Sequence, residues 1–187
     1  MNKRLFLLGL LLLPGLAWAQ AGESPVSLLA RSDAIRNPDF SYSTRVVLSE
    51  YRAGKEQDRM VLRSQVRPAQ RKGEYQTLVS FLHPARDIGK HMLKTGSDLW
   101  FYDPAGRSSI RLSPQQRLLG QAANADVVSA SFFADYTATL AATEEITDGE
   151  RAKRNTTKLA LEAATPTANY PRIELWVDST SAAPVRA

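Results

Sequence analysis

Cysteine is missing from the whole chain of 187 residues. Its absence excludes structural disulfides, thiol nucleophiles, iron–sulfur clusters and zinc sites built on cysteine. It also excludes the lipid anchor of bacterial lipoproteins, which is attached to a cysteine at the leader cleavage point. The domain must therefore be stabilised by its own hydrophobic core, and a chain of this length is able to form one.

Residues typical of catalytic and metal sites are also scarce. His83 and His91 are the only histidines, and their spacing fits neither a metal-binding helix nor a zinc motif. We interpret them as ordinary surface side chains. The nucleophile elbow, the P-loop and the dinucleotide-binding glycine pattern are not found in the sequence. Glu144 and Glu145 are adjacent, so on a strand their side chains point to opposite faces and cannot act as a pair. The sequence predicts no enzyme, no metal site and no cofactor.

The N-terminal segment has the three parts of a secretion signal. Lys3 and Arg4 are followed by the apolar run Leu5–Leu13 and by the small-x-small site Ala17–Ala19. The alternative is a membrane anchor, but the apolar run is shorter than the ~20 residues that span a bilayer. We predict that residues 1–19 are a cleaved signal peptide and that residues 20–187 form a single domain. Because Gln20 rather than a cysteine follows the site, we expect a soluble protein of the periplasm.

The charge of the chain is moderate. The formal net charge is +5, and the leader contributes part of this excess. What remains favours an anionic surface or ligand rather than nucleic acid. Four basic residues lie near one turn, namely Arg63, Arg67, Arg71 and Lys72. We interpret them as the solvated rim of a hairpin, and the alternative is a docking patch for an acidic partner or a membrane surface.

Hydrophobic periodicity predicts one helix followed by many short strands. Ser24-Pro25 is a helix start and Asn37-Pro38 a stop, so the helix covers residues 24–36. Alternating apolar and polar residues then predict strands, which tight turns connect and which must therefore pair antiparallel. Their ranges are 40–49, 59–66, 74–82, 90–95, 98–102, 108–112, 136–146, 156–164 and 173–178.

Two stretches depart from this strand pattern. Residues 113–134 contain the helix-start sequence Ser113-Pro114 and a second helical pattern around Phe132 and Phe133, so we expect helices there. Residues 181–187 resemble the approach to a further strand. We therefore expect the fold to continue with strands beyond this chain.

Several predicted strands are apolar on both faces. Trp100 and Tyr102 share one face of their strand, whereas Leu99 and Phe101 share the other. A strand in a sheet with one solvent-exposed face has polar residues at alternate positions. Because these strands do not, both faces of the sheet are expected to be covered or to line a cavity. The cover could be helices from residues 24–36 and 113–134. The equally supported alternative is a curved sheet whose apolar interior accepts acyl chains.

At this point the motifs resemble those of a known family. Residues 81–89 read F-L-H-P-A-R-D-I-G and residues 98–104 read D-L-W-F-Y-D-P. Together they resemble the core motif of outer-membrane lipoprotein-sorting proteins of the LolA-like group. The similarity continues through residues 111–120, 126–136 and 170–178, and Pro184–Ala187 resembles a position after which members of the group add further strands.

The resemblance implies a mainly β (α+β) fold, an unclosed antiparallel β-barrel with helices lidding its concave face. It implies a periplasmic carrier of lipoprotein or lipid cargo, with an inner-membrane transporter and an outer-membrane acceptor as partners. Our second hypothesis is an envelope sensor or scaffold module that binds another protein. The candidate cargo-binding residues are apolar positions on facing strands or in the expected lid: Val79, Phe81, Met92, Trp100, Tyr102, Phe132 and Phe133. A register error of one residue inverts this choice of face.

Overall fold

The N-terminal helix is built as its sequence pattern predicts. In the computed structural model, which describes residues 23–70, 74–166 and 168–187, helix α1 spans Pro25–Arg36. The Ser24 hydroxyl accepts a hydrogen bond of 3.1 Å from the Ser27 amide, and this bond caps the first turn. The predicted signal peptide, and Arg71 with Lys72, lie outside the described residues.

The first half of the chain forms one six-stranded sheet. Its strands follow one another in the sheet as they do in the sequence, and each pairs antiparallel with the next. This confirms the predicted antiparallel pairing. The strands are β1 (Tyr42–Arg52), β2 (Lys55–Pro68), β3 (Tyr75–His83), β4 (His91–Thr95), β5 (Asp98–Asp103) and β6 (Ser108–Leu112).

The segment after β6 is mostly irregular, and the helices expected over residues 113–134 are largely wrong. It contains a small hairpin of β7 (Arg117–Leu119) and β8 (Ala122–Ala123), a 3₁₀ turn at Asn124–Val127 and the single-turn helix α2 (Phe132–Asp135). Gly120 ends β7 with a φ of +56°, a value that favours glycine and turns the chain back. We call residues 113–131 the covering segment.

A second, four-stranded sheet follows. Its strands are β9 (Tyr136–Thr147), β10 (Lys153–Ala163), β11 (Arg172–Asp178) and β12 (Pro184–Arg186), again antiparallel. Residues 181–187, interpreted as the approach to a further strand, already contain the short strand β12. Within the described ranges, neither sheet closes on itself or on the other through hydrogen bonds. The structure confirms a mainly β, unclosed antiparallel fold.

Each sheet has its own hydrophobic core, covered by a different element. The helix α1 packs Leu28 and Leu29 on the four-stranded sheet, against Leu159, Leu161, Leu175 and Val177. The covering segment packs Val127 and Val128 on the six-stranded sheet, with Leu118 and Leu119 at the edge of the cluster. A helix therefore covers the four-stranded sheet, whereas an irregular segment covers the six-stranded sheet.

Candidate functional site

The inner face of the six-stranded sheet is an apolar surface beneath the covering segment. Three residues that the sequence selected, Val79, Phe81 and Met92, are buried there. They lie side by side because Val79 pairs with Met92 across β3 and β4. Leu62 and Leu99 complete the surface, and Val127 and Val128 pack on it. Any ligand that uses this face must displace the covering segment.

Two hydroxyl groups on this otherwise apolar face hold the covering segment down. The Ser64 hydroxyl donates a hydrogen bond of 3.2 Å to the carbonyl of Val127. The Thr77 hydroxyl lies 2.6 Å from the Ser129 hydroxyl and accepts a bond of 3.2 Å from the Ser129 amide. Both Ser64 and Thr77 are buried. These bonds satisfy backbone groups of the covering segment that no helix or sheet would satisfy.

A buried carboxylate ties the covering segment to α1. Asp33 is only 7% exposed. It accepts hydrogen bonds from the Ser131 hydroxyl at 2.7 Å and the Phe132 amide at 3.0 Å. It also accepts bonds from Arg36 in its own helix and from Asn37, the residue just after the helix, and the Asn37 side chain donates to the carbonyl of Ala130 at 2.9 Å. Charge-assisted bonds of this kind are stronger than neutral ones, so this network is the firmest attachment of the covering segment.

A third attachment joins the covering segment to the loop before β11. The Tyr170 hydroxyl donates a hydrogen bond of 2.7 Å to Asp126. Partial burial, together with this bond to a carboxylate, raises the pKa of Tyr170 to about 12. Asp126 also accepts a bond from the Ala123 amide, which fixes the start of the 3₁₀ turn.

An open cleft of about 690 Å³ lies between the covering segment and β11. Val128 and Phe132 line one side, and Ile173 and Trp176 line the other. We call it the side cleft. Its volume falls within the range of roughly 300–1,000 Å³ that is typical of small-molecule sites. Because Val128 lines this cleft and also packs on the inner face, the cleft adjoins the apolar surface beneath the covering segment.

Cations fix the aromatic walls of the side cleft. The Arg36 guanidinium lies 3.7 Å from the centre of the Phe132 ring and forms an ion pair with Asp33. Burial lowers the pKa of Arg36, and the neighbouring Asp33 partly opposes this effect. On the other wall, Lys158 lies 4.5 Å from the Trp176 ring centre, and the Trp176 indole donates to Glu144 at 2.7 Å. Rings held in this way present fixed apolar surfaces to the cleft.

The structure corrects the face assigned to two candidate residues. Trp100 and Tyr102 lie on the outer face of the six-stranded sheet, and each is 39% exposed. Met92 pairs with Phe101, so Phe101 and Leu99 are the residues of β5 that face inward. The register inverts the predicted face of β5, because successive side chains of a strand point to opposite sides.

The two candidate phenylalanines of the expected lid have different surroundings. Phe132 lines the side cleft and packs edge-on against Tyr136, with ring centres 5.6 Å apart. Phe133 is 50% exposed and points elsewhere. Sequence reasoning did not select Asp33, Ser64 or Thr77. Ser64 and Thr77 are polar residues at strand positions where the alternation predicts apolar ones, and this departure is the signal that could have identified them.

The remaining polar residues do not form a metal site in the part of the chain that the structure describes. No group of three or more metal-ligating side chains is found there. His91 shares a hydrogen bond of 3.1 Å with the Ser80 hydroxyl. In the same described ranges, no helix is long and apolar enough to cross a membrane.

These features place the chain in the class of unclosed antiparallel β-proteins whose apolar inner face lies beneath an irregular covering segment. Solved structures of other proteins share this fold. A LolA superfamily protein of Nitrosomonas europaea is 31% identical, with a TM-score of 0.66 over 87% of this chain and 70% of that one. The chain belongs to the LolA superfamily.

Two other solved structures share the fold at lower identity. A DUF1329 family protein of Desulfovibrio piger is 22% identical, with a TM-score of 0.69 over 87% of this chain and 72% of that one. A Vibrio parahaemolyticus domain, provisionally assigned to outer-membrane lipoprotein sorting, is 16% identical, with a TM-score of 0.65 over 83% of this chain and 67% of that one. The model of a family described only as uncharacterised proteins matches residues 73–187. No curated protein sequence matches the chain.

Proposed function

We propose that this protein is a periplasmic carrier that binds the acyl chains of a lipoprotein or another lipid, and that it catalyses no reaction. The observation that carries the proposal is the covered inner face of the six-stranded sheet with the side cleft open beside it. An acyl chain gains about 0.8 kcal/mol for each methylene group that it buries. A carrier that crosses water must therefore supply a shielded apolar surface of this kind.

The attachments of the covering segment suit reversible binding. The segment contacts the inner face through Val127 and Val128, with Leu118 and Leu119 at the edge, and its hydrogen bonds to this face are those of the Ser64 and Thr77 hydroxyls. Neutral hydrogen bonds contribute only about 1 kcal/mol each. An entering chain replaces the apolar contacts of Val127 and Val128 with its own, so the net cost of lifting residues 127–129 off the inner face is small, while Asp33 keeps the end of the segment attached to α1.

We assign cargo contact to residues that line the proposed path. Phe132 lines the side cleft at the entrance, and Val79, Phe81 and Met92 form the surface beneath the covering segment. Trp100 and Tyr102 lie on the opposite side of the sheet and are not part of this path. An inner-membrane transporter that loads the carrier and an outer-membrane acceptor that unloads it are the proposed partners.

The first test is a search for bound lipid and a measurement of lipid uptake. The protein, expressed with its own leader, is purified, extracted with organic solvent and analysed by mass spectrometry, and uptake of a fluorescent fatty acid is followed by titration. We expect co-purified acyl lipid and saturable uptake. Replacing Phe132 by alanine should weaken uptake, because the variant loses an aromatic wall of the entrance.

The neighbouring residue supplies a matched control. Phe133→Ala removes the same side chain from an exposed position and should leave uptake unchanged. Equal losses in the two variants would contradict the assigned entrance. Absence of both co-purified lipid and uptake would contradict the carrier and leave the alternative, a scaffold or sensor module that binds another envelope protein.

A further inference from the structure

The outer face of the six-stranded sheet carries a second, unexplained apolar surface. Leu78, Leu93 and Trp100 lie directly opposite one another across β3, β4 and β5. Tyr102 follows Trp100 on the same face, two residues along. All four are between 38% and 42% exposed. Single exposed apolar residues are ordinary on protein surfaces, whereas a contiguous row marks an interaction site.

Arginines border this row on the side of β1 and β2. Arg45 and Arg63 lie directly opposite each other in the β1–β2 pair, an arrangement that is unfavourable for like charges. Arg67 is four residues from Arg63 and therefore on the same face. Its guanidinium bonds the Gln76 amide oxygen at 2.8 Å. Among the described residues, none of these arginines has a carboxylate partner.

The acidic residue beside the row is already neutralised. Asp98 lies two residues before Trp100 on the same face and pairs with Arg111. A groove of about 570 Å³ lies at the Leu78 and Leu93 end of the row, with Gln65 and Arg67 on its other side. The surface thus combines exposed aromatic and aliphatic side chains, uncompensated positive charge and room for a small polar group. We call Leu78, Leu93, Trp100 and Tyr102, with Arg45, Arg63 and Arg67, the outer patch.

We propose that the outer patch docks the protein on an anionic phospholipid surface. Tryptophan and tyrosine are the residues that prefer the membrane–water interface. Arginines near an anionic membrane are attracted to its headgroups, which also relieves the repulsion between Arg45 and Arg63. An acidic protein would match the charge but would not require a row of interfacial aromatic and aliphatic side chains. The docking surface lies on the face of the sheet opposite the covering segment, so docking leaves the proposed cargo path free.

Vesicle binding of the full protein tests this proposal. Sedimentation is measured with vesicles of phosphatidylcholine alone and with vesicles that also contain phosphatidylglycerol. We expect binding to the anionic vesicles only, weakened by salt. The double variant Arg45→Ser/Arg63→Ser should bind roughly 25-fold more weakly, at about fivefold for each arginine. Trp100→Ser should also reduce binding.

The control removes equal charge from elsewhere. Arg117 lies on the covering segment and Arg151 in the β9–β10 turn, where its φ is +65°. Arg117→Gln/Arg151→Asn, in which asparagine tolerates the left-handed conformation, should bind as the wild type does. Equal weakening in both double variants, or equal binding to both kinds of vesicle, would overturn the proposal. Binding to polyglutamate without binding to vesicles would also overturn it and would assign the patch to an acidic protein.

Docking and cargo binding are separable in the same assay. Phe132→Ala alters the proposed cargo entrance and leaves the outer patch intact, so it should bind anionic vesicles normally. If vesicle binding were lost in Phe132→Ala but kept in Arg45→Ser/Arg63→Ser, the protein would be inserting into vesicles through its cargo path. That result would overturn the docking surface while supporting the carrier.

Discussion

Asp33 is the single residue on which the closed arrangement most depends. Its carboxylate joins α1 to the covering segment and to the first turn of α2. Removing one partner of a buried charged network leaves the other groups unsatisfied. Asp33→Ala should therefore lower the free energy of unfolding by about 3 kcal/mol, although alanine itself favours the helix.

Urea unfolding measures this effect. The control is Asp39→Ala, which removes a carboxylate from an exposed position just after the helix and should change stability by less than about 0.5 kcal/mol. Similar unfolding midpoints for the two variants would contradict the role assigned to Asp33.

The incorrect face assignment of Trp100 shows which structural features the residue pattern of β5 predicts and which it does not. Alternation along β5 correctly separates Leu99 and Phe101 from Trp100 and Tyr102, but both pairs are apolar, so the pattern does not select the inner pair. The hairpin does select it. A two-residue turn at Gly96-Ser97 places Thr95 opposite Asp98, and counting back places Met92 opposite Phe101. Once Met92 is assigned to the core, the turn therefore predicts the β4–β5 register and, with it, that Phe101 faces inward.

Among the elements, the covering segment was the least predictable from sequence. The helix α1 and the strands of both sheets follow from local periodicity and caps. The covering segment instead bonds groups that are distant in the sequence: Val127 and Ser129 bond Ser64 and Thr77, and Ala130 accepts a bond from Asn37. Because these partners are brought together only by the tertiary fold, no local sequence pattern predicts their hydrogen bonds.

The bond between the covering segment and Tyr170 gives the protein a pH dependence at this element. The pKa of Tyr170 is raised from 10.0 to about 12, so the folded state favours the neutral phenol. This stabilising contribution is complete below pH ~10 and is lost as the pH rises from ~10 to ~12. Tyr170→Phe should be less stable than the wild type near neutral pH, and the difference should shrink across that window.

Unfolding at a series of alkaline pH values checks this prediction. Other tyrosines also have raised pKa values, among them Tyr42 and Tyr136, so both proteins lose stability and only their difference reports Tyr170. A difference that stays constant from neutral pH to pH ~12 would show that folding does not raise the pKa of Tyr170, and it would contradict this account of the bond to Asp126.

At the scale of the whole molecule, the six-stranded sheet presents a different surface on each side. Its inner side is an apolar surface under a cover that a few hydrogen bonds retain. Its outer side carries an exposed row of apolar residues beside arginines that have no carboxylate partner among the described residues. The carrier that we propose would use both surfaces, one to hold the cargo and the other to dock on the bilayer.

The central claim is that cargo occupies the inner face after the covering segment is displaced. Because the chain lacks cysteine, two introduced cysteines have only each other as partners. The Thr77 and Ser129 hydroxyls are 2.6 Å apart, so Thr77→Cys/Ser129→Cys places a disulfide between the sheet and the covering segment. Thr157→Cys/Ser179→Cys, from hydroxyls 3.2 Å apart in the second sheet, places one that leaves the covering segment free.

Uptake of the fluorescent fatty acid by the two oxidised proteins, before and after reduction, tests this claim most directly. We predict that oxidised Thr77→Cys/Ser129→Cys takes up no fatty acid and recovers uptake when the disulfide is reduced, whereas the control takes up fatty acid in both states. Undiminished uptake by the oxidised Thr77→Cys/Ser129→Cys protein would show that the cargo lies elsewhere.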